Sequence, residues 1–347
     1  MIFQKRQDFL PQRTGIALGE TVRFELTREF HIESIDIRVT VVPSVDMATA
    51  NPDGIQNILR RVQLQISDGA RTRNVVDVEG PSLLELTRQW KGGLDRNTHA
   101  AIGTNPAAAS TTILYYPVFF SHPQIEDPIG SSLLLPAPRF NSNPVLSLRF
   151  ATQAEMDVNA APEFALTSLA VQVIINRRQV TIANWPTYDT ELAENQVAYT
   201  AVGNGQLYEL QIPGSYTGIL LRDYTSVSAR GSIQVAGGEN RLQILGTVLR
   251  RFQVENIQAE NDRSLWNYPA TWASFAGSYY LDFLTDKTGE SCGELGSVLD
   301  ANILQASGAR VQLLQDITGG AGVLRKYVTH RIFGNLQPFK LSSIKKA

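Results

Sequence analysis

Four histidines, His31, His99, His122 and His330, are the side chains best suited to hold a metal or shuttle a proton, and their spacing argues against both. There is no His-x-His pair and no H-E-x-x-H helix to bring two imidazoles onto one ion, as in cupins or zinc proteases. His122 and Glu126 lie four residues apart, but Pro123 between them opposes the helix that would make them face each other. Gly203-Asn204-Gly205, Gly237-Gly238 and Gly319-Gly320 lack the strand-to-helix setting and the Lys-Ser/Thr pair of a phosphate cradle, and read as turns. Asp282 and Asp286 could pair for glycoside or amide hydrolysis, although a solvated strand end accounts for them as well. Cys292 sits in a glycine-rich stretch with no base near it in sequence. Trp185, Trp266 and Trp272 could stack on sugars, yet core and interface packing is the default for large aromatics. The sequence therefore assigns no catalytic, cofactor-binding or metal residue, and no cofactor.

The elements around these residues are mostly strands. Val22, Phe24 and Leu26 alternate with Arg23, Glu25 and Thr27, and Ile35, Ile37, Val39 and Val41 alternate with Asp36, Arg38 and Thr40. Period-two alternation marks strands with one face on a core and the other in polar surroundings. After the turn at Asn51-Pro52-Asp53-Gly54 come Val62, Leu64 and Ile66, then an Asp68-Gly69 turn leads to Val75, Val76 and Val78. The alternation breaks at residues 81–91. There Pro81, the capping-box spacing of Ser82 and Glu85, and the closing Gly92-Gly93 predict a short helix burying Leu83, Leu86 and Trp90. Strands resume at Ile113–Phe120, Ser132–Leu135, Val145–Phe150 and Leu166–Ile175.

From Arg177 to Val202 the pattern lapses into Pro, Asn and acidic residues, which predicts a surface linker. A second series follows at Leu207–Ile212, Gly218–Ser228, Arg241–Gly246, Val248–Val254, Ser278–Leu284, Gly296–Asp300, Arg310–Asp316 and Val323–Phe333. A looser helical stretch, Gln258–Phe275, interrupts it. Both halves thus read as four strands, a helix and four strands. The match of Leu59-Arg60-Arg61-Val62-Gln63 to Leu249-Arg250-Arg251-Phe252-Gln253 is a local echo of duplication; the repeated order carries more weight.

Eight short antiparallel strands per half predict an all-β chain of two consecutive eight-stranded jelly-roll barrels, with short helices between fourth and fifth strands. The expected organisation is an N-terminal arm at 1–18, a first jelly roll at 19–178, a linker at 179–202, a second jelly roll at 203–335 and a basic tail at 336–347. Three copies of a two-barrel chain present six similar barrels, which tile a hexagonal facet with only threefold symmetry.

The 347 residues suffice for two cores, and 31 basic against 33 acidic side chains leave a formal charge of -2. Such a balance provides no global field for wrapping a polyanion, so no sequence-specific nucleic-acid partner is expected. A single cysteine excludes an intramolecular disulfide and fits a reducing cytoplasm. No apolar run resembles a secretory signal or reaches the roughly 18 residues of a bilayer span.

The chain resembles the double jelly-roll major capsid proteins of internal-membrane viruses, typified by the tectiviruses. The likeness rests on Asn57-Ile58-Leu59-Arg60-Arg61-Val62 before an aspartate turn, on Tyr115-Tyr116-Pro117-Val118, on the loop Glu126–Gly130, and on Leu146-Ser147-Leu148-Arg149-Phe150. In the second half it rests on Tyr279-Tyr280-Leu281-Asp282, Asp286-Lys287 and Ala309-Arg310-Val311. The loops at Ser67–Thr72 and Ser121–Ser131 are shorter than those of many relatives. The resemblance implies a structural protein, not an enzyme, forming homotrimers in the virion capsid after assembly in the host cytoplasm. Implied partners are neighbouring trimers, penton or spike proteins, minor capsid proteins and an internal lipid membrane. A carbohydrate-binding protein and a glycan amidase or glycosidase are the alternatives. Lys5, Arg6 and Arg13 near the start and Lys340, Lys345 and Lys346 near the end are the expected contacts to membrane or inner shell, since basic residues are attracted to anionic lipid.

Overall fold

The computed structural model describes residues 4–69, 71–90, 107–120, 134–179, 189–210, 214–235, 238, 240–244, 247–252, 276–283, 299–300 and 310–333. In the first half these form β1 (Gln4–Phe9), β2 (Arg13–Thr14), β3 (Thr21–Glu25), β4 (His31–Val45), β5 (Leu59–Ser67), β6 (Thr72–Val78), α1 (Gly80–Trp90), β7 (Thr112–Phe119), β8 (Val145–Phe150) and β9 (Ala165–Gln179). The second half contributes β10 (Asp189–Ala198), β11 (Gly203–Glu209), β12 (Ser215–Ser226), β13 (Ala229–Arg230), β14 (Asn240–Ile244), β15 (Thr247–Phe252), β16 (Ser278–Asp282), β17 (Leu299–Asp300), β18 (Val311–Ile317) and β19 (Leu324–Phe333).

Hydrogen bonding sorts the first half into two sheets, ordered β1-β9-β4-β7 and β3-β8-β5-β6. The second half repeats this order strand for strand as β10-β19-β12-β16 and β11-β18-β14-β15. Each half is thus a jelly roll, in which the first strand lies beside the last and the sheets face one another across a core. The first core is built from the alternating positions Ile35, Ile37, Val39 and Val41 of β4, Leu146, Leu148 and Phe150 of β8, and Val171, Val173 and Ile175 of β9, all buried. A smaller cluster around Ile219, Leu221, Leu313 and Tyr327 fills the second.

The barrels are not separate beads. β10 lies parallel to β6, pairing Leu192 with Val76 and Ala193 with Asp77, so one sheet of each roll merges into a single ten-stranded sheet. α1 is wedged at the same seam and is buried on nearly every side.

Two expectations are corrected. Residues 4–14, expected as an arm before the first strand, form β1 and β2, both paired antiparallel to β9. Residues 189–198, expected within a linker, form β10, which pairs with β19 along its whole length. Each is the opening strand of its roll. The echo also falls on non-equivalent strands: Leu59 opens β5, whose counterpart in the repeated order is β14, whereas Leu249 lies in β15. Leu135 makes an isolated bridge to Ile32 in place of a strand. The stretch Gln258–Phe275 and the tail 336–347 lie outside the described residues.

Candidate functional site

Of the residues with catalytic or metal-binding potential, His31 and His330 are described, and they sit on different barrels in β4 and β19. His330 is buried, with Nδ1 at 2.7 Å from Thr217 Oγ1 and its ring edge-on to Trp90 at 5.2 Å. Burial lowers its pKa from 6.5 to about 4. Burial and the nearby Arg139 lower that of His31 to about 4 as well. Among the described residues no three His, Cys, Asp or Glu side chains converge as a metal site would require. His99, His122, Cys292, Asp286, Trp185, Trp266 and Trp272 lie outside the described residues, as do Lys340, Lys345 and Lys346. Asp282 is placed in β16 by its backbone.

The basic residues near the start are held by the sheet. Arg6 meets Asp8 at 2.7 Å and Glu29 at 3.2 Å, so its charge is already engaged. Lys5 and Arg13 are exposed, on β1 and β2.

Among the described residues the densest cluster of paired charges lies at the seam between the barrels, where the sequence reading assigned no site residue. Arg222 of β12 is fully buried and donates to Glu85 Oε1 at 2.9 Å, Ser82 Oγ at 2.7 Å and Asp53 Oδ1 at 2.7 Å. Asp53 also accepts from Tyr224 Oη at 2.9 Å. Glu85 accepts from Arg230 at 2.5 Å and 2.9 Å and from Ser278 Oγ at 2.6 Å. Nearby, Glu79 takes Arg60 at 2.7 Å and Lys326, and its backbone N–H donates to Glu194 at 2.7 Å. Asp53, Glu79, Ser82 and Glu85 come from the first half; Arg222, Tyr224, Arg230, Ser278 and Lys326 come from the second. Trp90 Nε1 donating to Tyr280 Oη at 2.9 Å closes the seam at the far end of α1.

Burial opposes ionisation of Asp53 and Glu85, but Arg222 and Arg230 outweigh it and hold both carboxyls below the usual range. For Glu79 burial is likewise outweighed, by Lys326, Arg60 and Arg222. Glu194 goes the other way: burial and the charge on Glu79 push its carboxyl up. Two neighbouring carboxyls with pKa values driven apart are what a hydrolase uses as acid and base. Here they are poorly placed for that role. The Glu79 side chain is 6% exposed and Glu194 2%, and Glu79 is already claimed by two cations. Both carboxyls line a polar cleft of about 650 Å³, together with Arg60, Arg61, Gln63, Arg149, Asn195 and Gln196 among others. Its arginines are paired, Arg60 with Glu79 and Glu155, Arg61 with Asp77, and Arg149 with Glu155. The chemistry of the seam is therefore cohesive: matched charges, desolvated together, lock one barrel to the other.

No family model and no curated protein matches the sequence. Solved structures do match the fold. The major capsid protein of Sulfolobus Turreted Icosahedral Virus aligns over 95% of this chain and 96% of its own, with a TM-score of 0.65 at 16% identity. The capsid of the virus PBCV-1 aligns over 97% and 96%, with a TM-score of 0.56 at 11% identity. The major capsid protein P2 of bacteriophage PM2 aligns over 96% and 100%, with a TM-score of 0.55 at 12% identity. At such identities the likeness is one of fold, and the fold is the double jelly roll.

Proposed function

We propose that this chain is the major capsid protein of an icosahedral virus, assembling as trimers whose six barrels tile the shell. One observation carries the reading: viral capsid proteins match the chain from end to end, with both barrels and neither partner left over. The cohesive seam supports it, since a shell tile must present its two barrels in one fixed relation. An enzyme would instead need a reactive group free to act on substrate, and the split carboxyl pair at Glu79 and Glu194, although it lines the cleft, is engaged by Arg60, Lys326 and Arg222.

The working partners are other copies of the chain, with spike, penton and minor capsid proteins at the vertices and an internal membrane beneath. In this reading the ends of the chain, with Lys5, Arg13, Lys340, Lys345 and Lys346, face the inner side of the shell, where cations favour an anionic lipid surface. Arg6 contributes less, because Asp8 and Glu29 already neutralise it. The test is light scattering on the purified 38.3 kDa chain, followed by electron microscopy of concentrated samples. Trimers that tile into hexagonal sheets or particles are expected; a chain that stays monomeric at micromolar concentration, or that binds glycans as a monomer, overturns the proposal.

A further inference from the structure

β10 pairs with β6 only at Leu192 and Ala193 and then parts from it. The polar cleft lies where they part: β10 forms one wall at Glu194–Gln196, and the outer face of β3, β8 and β5 forms the floor. On that floor Arg61 and Arg149 stand directly opposite each other on paired antiparallel strands, and Gln63 opposite Ser147 is the next outward pair. Thr21 of β3 sits on the other side of Arg149. Like charges at directly opposed positions of a sheet repel. Each arginine is drawn aside by an acid, Arg149 through both Nη atoms to Glu155 at 3.2 Å and 2.7 Å, and Arg61 through Nε to Asp77 at 2.6 Å. Among the described residues the two Nη groups of Arg61 have no partner, and its side chain is 30% exposed.

The charge of the lining favours an anion. Arg60, Arg61 and Arg149 share it with Glu79, which Lys326 matches, and with Glu194, whose carboxyl burial and the charge on Glu79 push up. With Glu194 protonated, the cations Arg60, Arg61, Arg149 and Lys326 stand against three carboxylates, Glu79, Asp77 and Glu155. The rest of the lining narrows the class of ligand. No aromatic or apolar side chain is among the described lining residues, so a nucleobase has nothing to stack on and an acyl chain no pocket. Thr21, Gln63, Ser147 and Gln196 supply hydroxyls and amides, which both donate and accept, as a polyhydroxylated ligand requires. A volume of about 650 Å³ is that of a site for such a molecule rather than for a bare ion.

We infer that this cleft binds an acidic saccharide, with the Arg61 fork on a sugar carboxylate and Thr21, Ser147 and Gln196 on the ring hydroxyls. A guanidinium presents two parallel N–H groups that match a carboxylate, and here the strands of one sheet hold it in place. The position of the cleft gives its direction. Gln4 pairs with Gln179 and Asp189 with Phe333, so both barrels begin and end at the same end of the molecule. Gln196 lies near the opposite end of β10. With the chain ends on the inner side of the shell, the cleft lies toward the outer side, where saccharides of a cell surface are met. For that orientation alone the inference rests on the capsid reading.

The test is calorimetric titration of the full chain, at neutral pH and low salt, with tetragalacturonate, with neutral maltotetraose and with inorganic phosphate. Tetragalacturonate should bind, maltotetraose should not, and phosphate should bind at least tenfold more weakly than tetragalacturonate. Arg61→Met should raise the dissociation constant for tetragalacturonate about tenfold, the weight of a hydrogen bond to a charged group. Its circular dichroism should match the parent, since Asp77 keeps Gln63 as a donor. Gln196→Ala, at an exposed position, should raise the constant for tetragalacturonate about threefold and leave that for phosphate unchanged. No binding of tetragalacturonate, or equal affinity in the Arg61→Met chain, overturns the site. Phosphate binding as tightly as tetragalacturonate overturns the saccharide. If the parent assembles but fails these titrations, the capsid reading stands; a parent that binds tetragalacturonate yet stays monomeric overturns the capsid reading and leaves the cleft.

Discussion

At the residue scale the central feature is Arg222, a fully buried cation surrounded by Asp53, Glu85 and Ser82. Burying an ion pair costs desolvation that its attraction only roughly repays, but deleting one partner strands the others. Arg222→Met should therefore destabilise the chain by about 3–5 kcal/mol, read as a lowered urea midpoint; a loss near zero would mean that Arg230 and Lys326 suffice. His330 supplies a pH dependence of determinate sign. Its folded pKa, about 4, lies below its unfolded value of 6.5, so the unfolded chain takes up the proton first. Stability from the neutral imidazole is complete above pH 6.5 and is lost as the pH falls toward 4, at about 1.4 kcal/mol per unit. His330→Gln should flatten the stability profile in that window; an unchanged slope would assign it to His31, whose pKa is lowered in the same direction.

At the scale of elements, α1 was legible and its purpose was not. The spacing of Leu83, Leu86 and Trp90 marks an apolar face, and all three are buried, Trp90 against Tyr280 and His330 of the second barrel. Ser82 and Glu85, expected as a capping box, are buried instead against Arg222, Arg230 and Ser278, because the second barrel supplies partners that no local pattern announces. Gly80 enters this helix where a Cβ would stand 2.2 Å from Leu59 O and 3.0 Å from Tyr116 Cε1. Since the first of these is a backbone atom, Gly80→Ala should cost about 1–3 kcal/mol as overpacking does, visible as a lower thermal midpoint. β1 and β10 escaped detection for one shared reason. β1, with sequence QKRQDF, is an edge strand whose residues from Lys5 to Gln7 are exposed, so it carries no apolar alternation. β10 does alternate in burial, but its inward residues include Thr190 and Glu194, whose burial is made affordable by the charged seam.

On the scale of the whole molecule, the ten-stranded sheet and the ionic seam make the two barrels one mechanical body. Unfolding in urea should give coincident transitions for tryptophan fluorescence and for far-ultraviolet circular dichroism, as expected when no intermediate is populated. A separate early transition of one barrel would show the seam to be weaker than the cores.

The sequence by itself determined the class of fold and its duplication, because period-two alternation at β4, β5, β8, β9 and β18 is dictated locally by one apolar and one polar face. It also determined that the barrels come in tandem, since the order of elements repeats. Only the tertiary structure decided where each roll begins, which strands correspond, and how the barrels join. Those answers depend on partners far apart in the chain: β1 on β9, β10 on β6 and β19, and Glu85 on Arg222, 137 residues away. A polar residue is read from sequence as solvent-facing unless its counter-charge is known, and that counter-charge is brought to it only when the second barrel folds against the first.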